Sequence, residues 1–376
     1  MPTPLAWRNI THRRVRTAAA LAGVGFAILL IFMQLGFYDV VFRASTMILD
    51  QFEFDVVLIS PRYAHLRAAA AIPEARLAQA RSLSSVGSVS PLYVANASWR
   101  NIESGARREM TMVAVDPDQA HFTLPTLTAN VHRLRALDVA LMDVRAQKRY
   151  GPIYDGLIGE VENRRVTIGA TYAFGSGFMA DASLLVGDRT LFSAVPGTSR
   201  NLVSLALVRL APGSRLQTLI ADLKEQMPAD VKVWSRAELD ANEQAYFSEK
   251  KPIGLMFFSG VLLAFSVGAI IMYQILSAEV THHLKEFATL MAMGYKESYL
   301  IRVVLQQATL FATLGFAPAV VMAIVLYMVL GWVTALPMVM TVPRLIFVLT
   351  LSVAMCATAG LLATRKLVRA DPADLF

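Results

Sequence analysis

Long apolar runs alternate with polar stretches along the chain, and the four longest runs are its clearest signal. An α-helix rises 1.5 Å per residue, so about 20 apolar residues cross a hydrocarbon core about 30 Å thick. Each of the four runs reaches that length. The pattern therefore predicts four transmembrane helices, at residues 17–42, 252–276, 301–330 and 344–363.

The polar segment between the second and third spans, residues 277–300, reads SAEVTHHLKEFATLMAMGYKESYL. Its charged residues are Glu279, Lys285, Glu286, Lys296 and Glu297. Each would cost about 2.5 to 3.5 kcal/mol at the centre of a bilayer, which exceeds what the leucines of the segment return. The segment is therefore expected in water or at the membrane interface. The same holds for residues 1–16, 43–251, 331–343 and 364–376.

The positions of Lys and Arg in the short flanks predict the orientation. Basic residues lie in the amphipathic N-terminus (1–16), within 277–300 and in the tail after the fourth span, whereas residues 331–343 contain none. These basic residues are Arg8, Arg13, Arg14, Arg16, Lys285, Lys296, Arg365, Lys366 and Arg369. Both termini and residues 277–300 are therefore expected in the cytoplasm of a cell whose inner (plasma) membrane holds the spans. Residues 43–251 then lie outside it.

Composition agrees with a membrane protein, since 55% of the residues are apolar, 17% are charged and the mean hydropathy is +0.49. Of the formal charge of +7, residues 43–251 contribute only +2, from 24 basic and 22 acidic residues. The excess follows the membrane flanks, so it does not indicate a nucleic-acid partner. The single cysteine, Cys356, excludes an intrachain disulfide. The first span is too long for a cleaved signal peptide and is interpreted as a retained anchor.

The insert, residues 43–251, is large enough for a core of its own, and its pattern predicts mixed α and β structure. Strands are expected in FDVVLIS, VGSVSPLYVANASWRN, NLVSLALVRL and VKVWSR, and helices in PEARLAQARSL and SRLQTLIADLKEQM. NIESGARREMTMVAVDP predicts a hairpin that turns at Ser104 and Gly105. Residues 164–188 are rich in glycine and β-formers and indicate a β-rich subdomain within an α/β one. SRAELDANEQAYFSEKKP is helix-compatible and is interpreted as a stalk that extends the second span.

No sequence pattern points to catalysis or to a bound ligand. The chain lacks the phosphate-binding pattern G-x-x-x-x-G-K-[ST], as well as H-E-x-x-H and G-x-S-x-G. The adjacent His282 and His283 would point about 100° apart on a helix and cannot easily share a metal. FGSGF, Phe174 to Phe178, is interpreted as a turn. We therefore expect no catalytic residues, no metal and no cofactor in this chain.

One face of the segment 277–300 is apolar at helical spacing. Val280, Leu284, Phe287 and Met291 recur at i, i+4, i+7 and i+11, and Gly294 is the residue type most common just past a helix C-terminus. The spacing predicts a short amphipathic helix between two spans. On the pattern alone, it either docks on a partner or only connects the spans.

Three stretches carry a resemblance to FtsX/MacB-type ABC transporter permeases. KEFATLMAMGYKESYLIRVVLQQA is similar to the segment by which these permeases couple to their ATPase, and LAWRNITHRRVRTAAALAGVGFA and VRADPADLF resemble the two ends of the family. PLAW near the start and MQLGF at Met33 to Phe37 resemble the DevC-like branch. Met291 and Gln307 depart from the family, which often has a basic residue and a glutamate at these positions.

The resemblance implies four transmembrane helices with a large α+β extracytoplasmic (periplasmic) domain between the first two, the architecture of MacB-like (type VII) ABC permeases. It also implies a cytoplasmic ABC ATPase subunit that binds ATP and Mg, a homodimer in membrane lipid, an HlyD-like periplasmic adaptor and a TolC-like outer-membrane protein. The function implied is export of an amphiphilic cargo, such as a glycolipid, driven through movement of the periplasmic domain. The coupling residues are then Val280, Leu284, Lys285, Glu286, Phe287, Met291, Met293 and Gly294.

Two other functions compete with export. An FtsX-like mechanotransmission protein would regulate a periplasmic cell-wall hydrolase without moving a cargo, and the size of the insert favours the exporter. A membrane receptor would need a cytoplasmic signalling domain, for which the 13 residues after Ala363 leave no room.

Small residues at a spacing of four mark two faces where helices can approach closely. They are Ala19, Gly23 and Ala27 in the first span, and Gly260, Ala264 and Gly268 in the second. Each face is a candidate either for a dimer contact or for packing within one chain. The spans are otherwise expected to lack buried charged residues, with Gln34 as the main polar exception.

Overall fold

The computed structural model describes residues 14–146, 150–173, 183–247, 252–282, 289, 293, 295–334 and 338–368. The chain divides into two compact units. The first, here called the membrane unit, comprises Met1–Asp39, Ile253–Val333 and Met338–Phe376. The second, the insert unit, comprises Val40–Pro252 and Thr334–Pro337.

The α-helices differ sharply in length. Within the described residues, five have 6 to 11 residues and belong to the insert unit, whereas four have 27 to 38. In chain order they are α1 Arg14–Thr46, α2 Ala75–Arg81, α3 Pro125–Asn130, α4 Asp188–Ala194, α5 Leu216–Gln226, α6 Arg236–Ala245, α7 Ile253–His282, α8 Glu297–Thr334 and α9 Val342–Val368.

The four long helices, α1, α7, α8 and α9, are each long and apolar enough to cross a membrane. This confirms the prediction of four transmembrane helices. The helices continue beyond the predicted spans because backbone hydrogen bonding does not stop where the apolar run ends. The clearest case is α7, which runs to His282, six residues past Leu276.

Alanines fill much of the core of the membrane unit, as close packing of helices in lipid requires. The buried alanines of that core are Ala20, Ala27, Ala264, Ala308, Ala312, Ala319, Ala323, Ala359 and Ala363. Large apolar side chains such as Phe258, Met328 and Trp332 are exposed. The membrane unit therefore differs from a water-soluble bundle in its surface, where large apolar side chains are exposed as well as buried.

One nine-stranded sheet organises the insert unit, in the order β11-β1-β10-β3-β4-β8-β5-β7-β6, and β2 pairs separately with β9. The strands are β1 Val56–Ile59, β2 Ile72–Pro73, β3 Val86–Asn101, β4 Arg107–Val115, β5 Val139–Asp143, β6 Ile158–Val161, β7 Arg164–Tyr172, β8 Ser183–Gly187, β9 Leu202–Val203, β10 Leu205–Leu210 and β11 Lys232–Ser235.

Four of these strands form an open α/β part. β1 lies between β10 and β11 and is antiparallel to both, while β3 pairs with the other edge of β10. Because α2 lies between β1 and β3 in sequence, and α5 between β10 and β11, two β-α-β units interleave. This strand order is that of a ferredoxin-like sheet.

The remaining strands close on themselves. β3 pairs with β4 along Leu92–Arg100 and with β6 along Trp99–Asn101, and the chain of pairings β4-β8-β5-β7-β6 completes a six-stranded ring. The predicted β-rich part is therefore present within an α/β part. The two are not separable, however, because the 16-residue strand β3 belongs to both.

Several local predictions for the insert are confirmed. The predicted strands and helices are present, and the β3–β4 hairpin turns at Gly105, whose φ of 70° suits glycine. In the segment interpreted as a stalk, α6 ends at Ala245 and buries Leu239 and Glu243 within the insert unit. Residues 248–251, through which a stalk would continue to α7, lie outside the described residues, so the stalk stays a prediction. The FGSGF turn, residues 174–178, lies outside the described residues.

Candidate coupling site and helix contacts

The predicted coupling segment begins inside the membrane unit. α7 continues through Val280 to His282, and Thr281 Oγ1 donates a hydrogen bond of 2.7 Å to the Ser277 carbonyl oxygen. The Val280 side chain is buried in the four-helix core. Val280 therefore belongs to the last turns of a membrane helix, where its own bundle already covers it.

The end of the coupling segment is exposed. The Met293 amide donates to the Thr289 carbonyl oxygen at 3.1 Å, the bond of a helical turn, and the Met293 side chain is 63% exposed. Tyr295 and Tyr299 follow, with ring centroids 5.1 Å apart, and both are exposed. The segment thus presents one exposed apolar side chain and, next to α8, a pair of exposed aromatic rings in contact.

The other predicted coupling residues, Leu284, Lys285, Glu286, Phe287, Met291 and Gly294, lie outside the described residues. Their stripe stays a prediction. Gln307, the position at which the resemblance leads one to expect a glutamate, is only 3% exposed in α8. A neutral amide is much cheaper to bury there than a carboxylate.

The small residues of the first two spans meet within one chain. A Cβ atom added to Gly23 would lie 2.9 Å from Ile271 Cγ2, and one added to Gly268 would lie 2.7 Å from Ala27 Cβ. The neighbour of Gly260 is the amide group of Gln34. Ala264 is buried in the same core, whereas Ala19 is exposed. These contacts pack α1 against α7 within one chain, where Ala19 is exposed, and a dimer contact at either face stays a prediction.

Charged residues do occur inside the helix bundle, contrary to expectation. Arg344, whose side chain is 8% exposed in α9, forms an ion pair of 2.9 Å with Asp39 of α1. It also donates to the Val339 carbonyl oxygen at 2.8 Å, and Tyr327 Oη of α8 donates to the Phe32 carbonyl oxygen. Hydropathy alone does not reveal this cluster, because each charge lies near the end of an apolar run. The opposite charges of Arg344 and Asp39 are the sequence feature that could have suggested an ion pair.

In the insert unit, Arg236 at the start of α6 also joins several elements through polar contacts, as Arg344 does in the membrane unit. It donates to the Leu49 carbonyl oxygen and to Asp240 at 2.9 Å each, binds the Asp50 carboxylate, and its guanidinium lies 4.6 Å from the centre of the Phe54 ring. Burial raises the pKa of Asp50, and the charge of Arg236 opposes that rise. One arginine thus fastens α6 to the chain segment that follows α1.

No group of three or more His, Cys, Asp or Glu side chains that could hold a metal occurs among the described residues. The expectation that this chain needs no metal or cofactor stays a prediction.

Comparison with known proteins gives one family match, in the C-terminal part of the chain, and weak structural likenesses. Residues 257–372 match a family model described as FtsX-like permease C-terminal. Among solved structures, the periplasmic region of MacB from Actinobacillus actinomycetemcomitans covers 52% of this chain and 94% of its own, at 10% identity and a TM-score of 0.36. The extracellular domain of the noncanonic ABC-type transporter YknZ from Gram-positive bacteria covers 48% and 98%, at 10% identity and a TM-score of 0.34.

A domain of a putative permease from Porphyromonas gingivalis covers 50% of this chain and 88% of its own, at 14% identity and a TM-score of 0.30. No curated protein matches the sequence. Because these TM-scores are low, the description of the fold rests on the strand order and the helices of this chain.

Four candidate membrane spans and an α/β insert after the first of them define a polytopic membrane protein. Within it, residues 257–372, from α7 through α9, form an FtsX-like permease domain. The resemblance first seen in KEFATLMAMGYKESYLIRVVLQQA is thereby confirmed, since residues 285–308 lie within the match. The DevC-like branch stays a prediction.

Proposed function

We propose that this chain is the membrane subunit of an ABC exporter and that a separate ATPase docks on residues 277–300. The observation that carries the proposal is the FtsX-like match over residues 257–372, which contains the whole of that segment. The described surface there suits docking, because Met293, Tyr295 and Tyr299 are all exposed and the two tyrosine rings are in contact. Buried apolar and aromatic anchors supply most of the binding energy at protein interfaces.

In this proposal ATP and Mg bind to the partner, and the chain works as a homodimer with both termini in the cytoplasm. Movement of the four spans is passed to the insert unit in the periplasm. The helix α1 supports such a route, because residues 40–46 of this single helix already belong to the insert unit. An HlyD-like adaptor and a TolC-like duct would then receive an amphiphilic cargo, as in the DevC-like branch.

The docking role is tested by co-expression of the chain with its ATPase. Phe287→Ala removes a predicted anchor, which usually costs about 1 to 4 kcal/mol of binding, and Glu286→Lys reverses a charge beside it. Gly294→Val penalises the left-handed conformation that ends a helix. Each variant should lower the yield of the complex and the stimulated ATP turnover, with the membrane level unchanged.

Ser298→Ala, a small change at an exposed position nearby, is the matched control and should behave as wild type. Unchanged complex and turnover in all three variants would leave the segment as a mere connector. An intact, active complex that stimulates a cell-wall hydrolase and moves no cargo would replace export by mechanotransmission.

A further inference from the structure

One loop of the insert unit carries positive charge without any acidic residue. The loop between β1 and β2, residues 60–71, reads SPRYAHLRAAAA and contains Arg62, His65 and Arg67. Over residues 43–251 as a whole the two signs nearly cancel, with 24 basic and 22 acidic residues. The β1–β2 loop is therefore a local exception to the charge balance of the insert.

Hydrogen bonds fix the β1–β2 loop on α6. Tyr63 Oη donates to Glu243 Oε1 at 2.6 Å, and the Leu66 amide donates to the same oxygen at 3.1 Å. Asn242 Nδ2 donates to the Ala64 carbonyl oxygen at 3.1 Å. Because Tyr63 and Leu66 are also buried, the loop has a defined position at the C-terminal end of α6.

That end of α6 is close to the second span along the chain. The centre of the His65 ring lies 4.1 Å from that of Tyr246 and 6.2 Å from that of Phe247. The candidate span α7 begins at Ile253, six residues after Phe247, and six residues reach at most about 22 Å even when fully extended. The chain therefore keeps the loop near the membrane end of the insert unit.

The β1–β2 loop is also connected to the first span. The helix α1 runs without a break from its apolar run to Thr46, and Ile48 and Leu49 follow closely. Ile48, Leu49, Tyr63 and Leu66 belong to one buried apolar cluster of the insert unit. The residues that hold the loop therefore include the first ones that the chain places beyond α1.

The exposed side of the loop is basic and small. Arg62 is exposed and Arg67 is partly buried, and the small residues Pro61, Ala68 and Ala71 are exposed beside them in sequence. All of residues 60–71 are described, and their large apolar side chains are buried. The loop thus offers positive charge to its surroundings without an apolar side chain that could enter a bilayer.

The carboxylates near this loop are bound to other groups. On α6, Glu243 accepts the two hydrogen bonds given above, and Asp240 pairs with Arg236 at 2.9 Å. Asp50, in the segment after α1, binds the same arginine. These carboxylates therefore leave the positive charge of the exposed Arg62 to another partner.

We propose that the β1–β2 loop contacts the anionic lipid headgroups of the leaflet that faces the insert unit, with Arg62 as the main contact. Arginine binds phosphate oxygens in a bidentate geometry, and each basic side chain near an anionic membrane surface favours contact by about fivefold. Because its exposed side chains are basic or small, the loop lies at headgroup level and does not enter the hydrocarbon. The contact goes beyond the proposed function, since it requires neither ATPase nor cargo and holds for either orientation of the chain.

Fluorescence quenching on the full chain in lipid nanodiscs tests this contact. In a Cys356→Ser background, Ala68→Cys carries a fluorophore. The discs contain phosphatidylcholine with a spin label on the headgroup, either alone or with about one-third phosphatidylglycerol. The matched control is Gln217→Cys, an exposed position in the first turn of α5. It lies at the other end of the sheet from the loop, because α5 follows β10 and β10 runs antiparallel to β1.

In the anionic discs, quenching at residue 68 should exceed that at residue 217 by at least about twofold, and it should be weaker in the neutral discs. Arg62→Glu replaces an attraction by a repulsion, so it should lower the quenching at residue 68 in anionic discs by about half or more. Arg215→Glu, the same change next to α5, should leave that quenching unchanged. Both arginines are exposed, so neither change should alter folding.

Equal quenching at residues 68 and 217 in anionic discs would overturn the proposal. So would quenching at residue 68 that depends neither on lipid charge nor on Arg62, since the loop would then lie near the surface without being attracted to it. Stronger quenching by a spin label deep in the acyl chains would contradict the headgroup depth. Efficient disulfide formation between two copies of unlabelled Ala68→Cys, without lipid-dependent quenching, would assign the loop to a contact between chains.

Discussion

Polar side chains are distributed differently in the two units. In the membrane unit the described ion pair and its neighbouring polar contacts centre on Arg344, Asp39 and Tyr327, and the buried polar residues of the described membrane helices, Ser277, Gln307, Ser352 and Thr364, are uncharged. In the insert unit, ion pairs and side-chain hydrogen bonds occur throughout, many of them partly exposed. A surface ion pair in water contributes little, whereas a charge left alone in a helix bundle is costly. An ion pair between arginine and aspartate should therefore contribute more to the free energy of unfolding in the membrane unit than in the insert unit.

The largest difference is expected for Arg344→Ala. It removes both the 2.9 Å ion pair with Asp39 and the hydrogen bond to the Val339 carbonyl oxygen, so the free energy of unfolding should fall by about 2 to 4 kcal/mol. Denaturant unfolding of the purified chain in detergent measures this.

The matched change in the insert unit is Arg236→Ala. There the arginine is 24% exposed and Asp50 is 51% exposed, so the loss should be near 1 kcal/mol. Equal losses of unfolding free energy in Arg344→Ala and Arg236→Ala would show that burial in the helix bundle does not make an ion pair more important. The double variant Arg344→Leu with Asp39→Leu should recover most of the stability lost in Arg344→Ala, because it leaves no single charge behind.

The two units also differ in how well they should tolerate a methyl group at a glycine that packs against a neighbouring side chain. In the β ring, a Cβ on Gly159 would overlap the six-membered ring of Trp99, which is fully buried. Gly159→Ala should therefore cost about 2 to 3 kcal/mol, since a packed indole ring cannot move aside without disturbing the core. Thermal unfolding, together with a shift of tryptophan emission, would show it. A stable variant with unchanged emission would mean that the ring is loosely filled.

The same substitution in the membrane unit should be nearly harmless at Gly260. The atoms that an added methyl group would meet are the end of the Gln34 side chain, which can rotate away. Gly260→Ala is therefore expected to lose less than about 1 kcal/mol. A loss as large as that of Gly159→Ala would show that Gln34 is fixed, and would mark it as a hydrogen-bonding residue between helices.

The two units also differ in how far the sequence predicted them. The four spans follow from composition alone, since length and hydropathy suffice. The strands and helices of the insert follow from local periodicity, but ring closure does not, because the pairing of Trp99 with Val161 joins residues 62 positions apart. Arg344 and Asp39 meet from 305 positions apart. Hydropathy treats each as one polar residue near the end of a run.

For the candidate coupling site, the hydrophobic periodicity predicted an apolar stripe on residues 280–291. It could not predict which neighbouring residues bury that stripe. Val280 has the period of an anchor, yet α7 extends far enough for its own bundle to bury it. The spacing of Gly23 and Gly268 predicted a close helix contact, but the residues of α7 and α1 that they meet within the chain are known only from the three-dimensional packing. Periodicity identifies a buried face without naming its neighbour.

Site-specific cross-linking can show directly whether residues 277–300 face the ATPase, as we propose. In a Cys356→Ser background, Met293→Cys would carry a photoreactive thiol reagent on a side chain that is 63% exposed. Val342→Cys, at the start of α9 and replacing a residue 67% exposed, is the matched control. The account predicts a cross-link between the chain and its ATPase from Met293→Cys and none from Val342→Cys. A cross-link from Val342→Cys alone would place the ATPase at the other end of the helices and contradict both the docking site and the orientation.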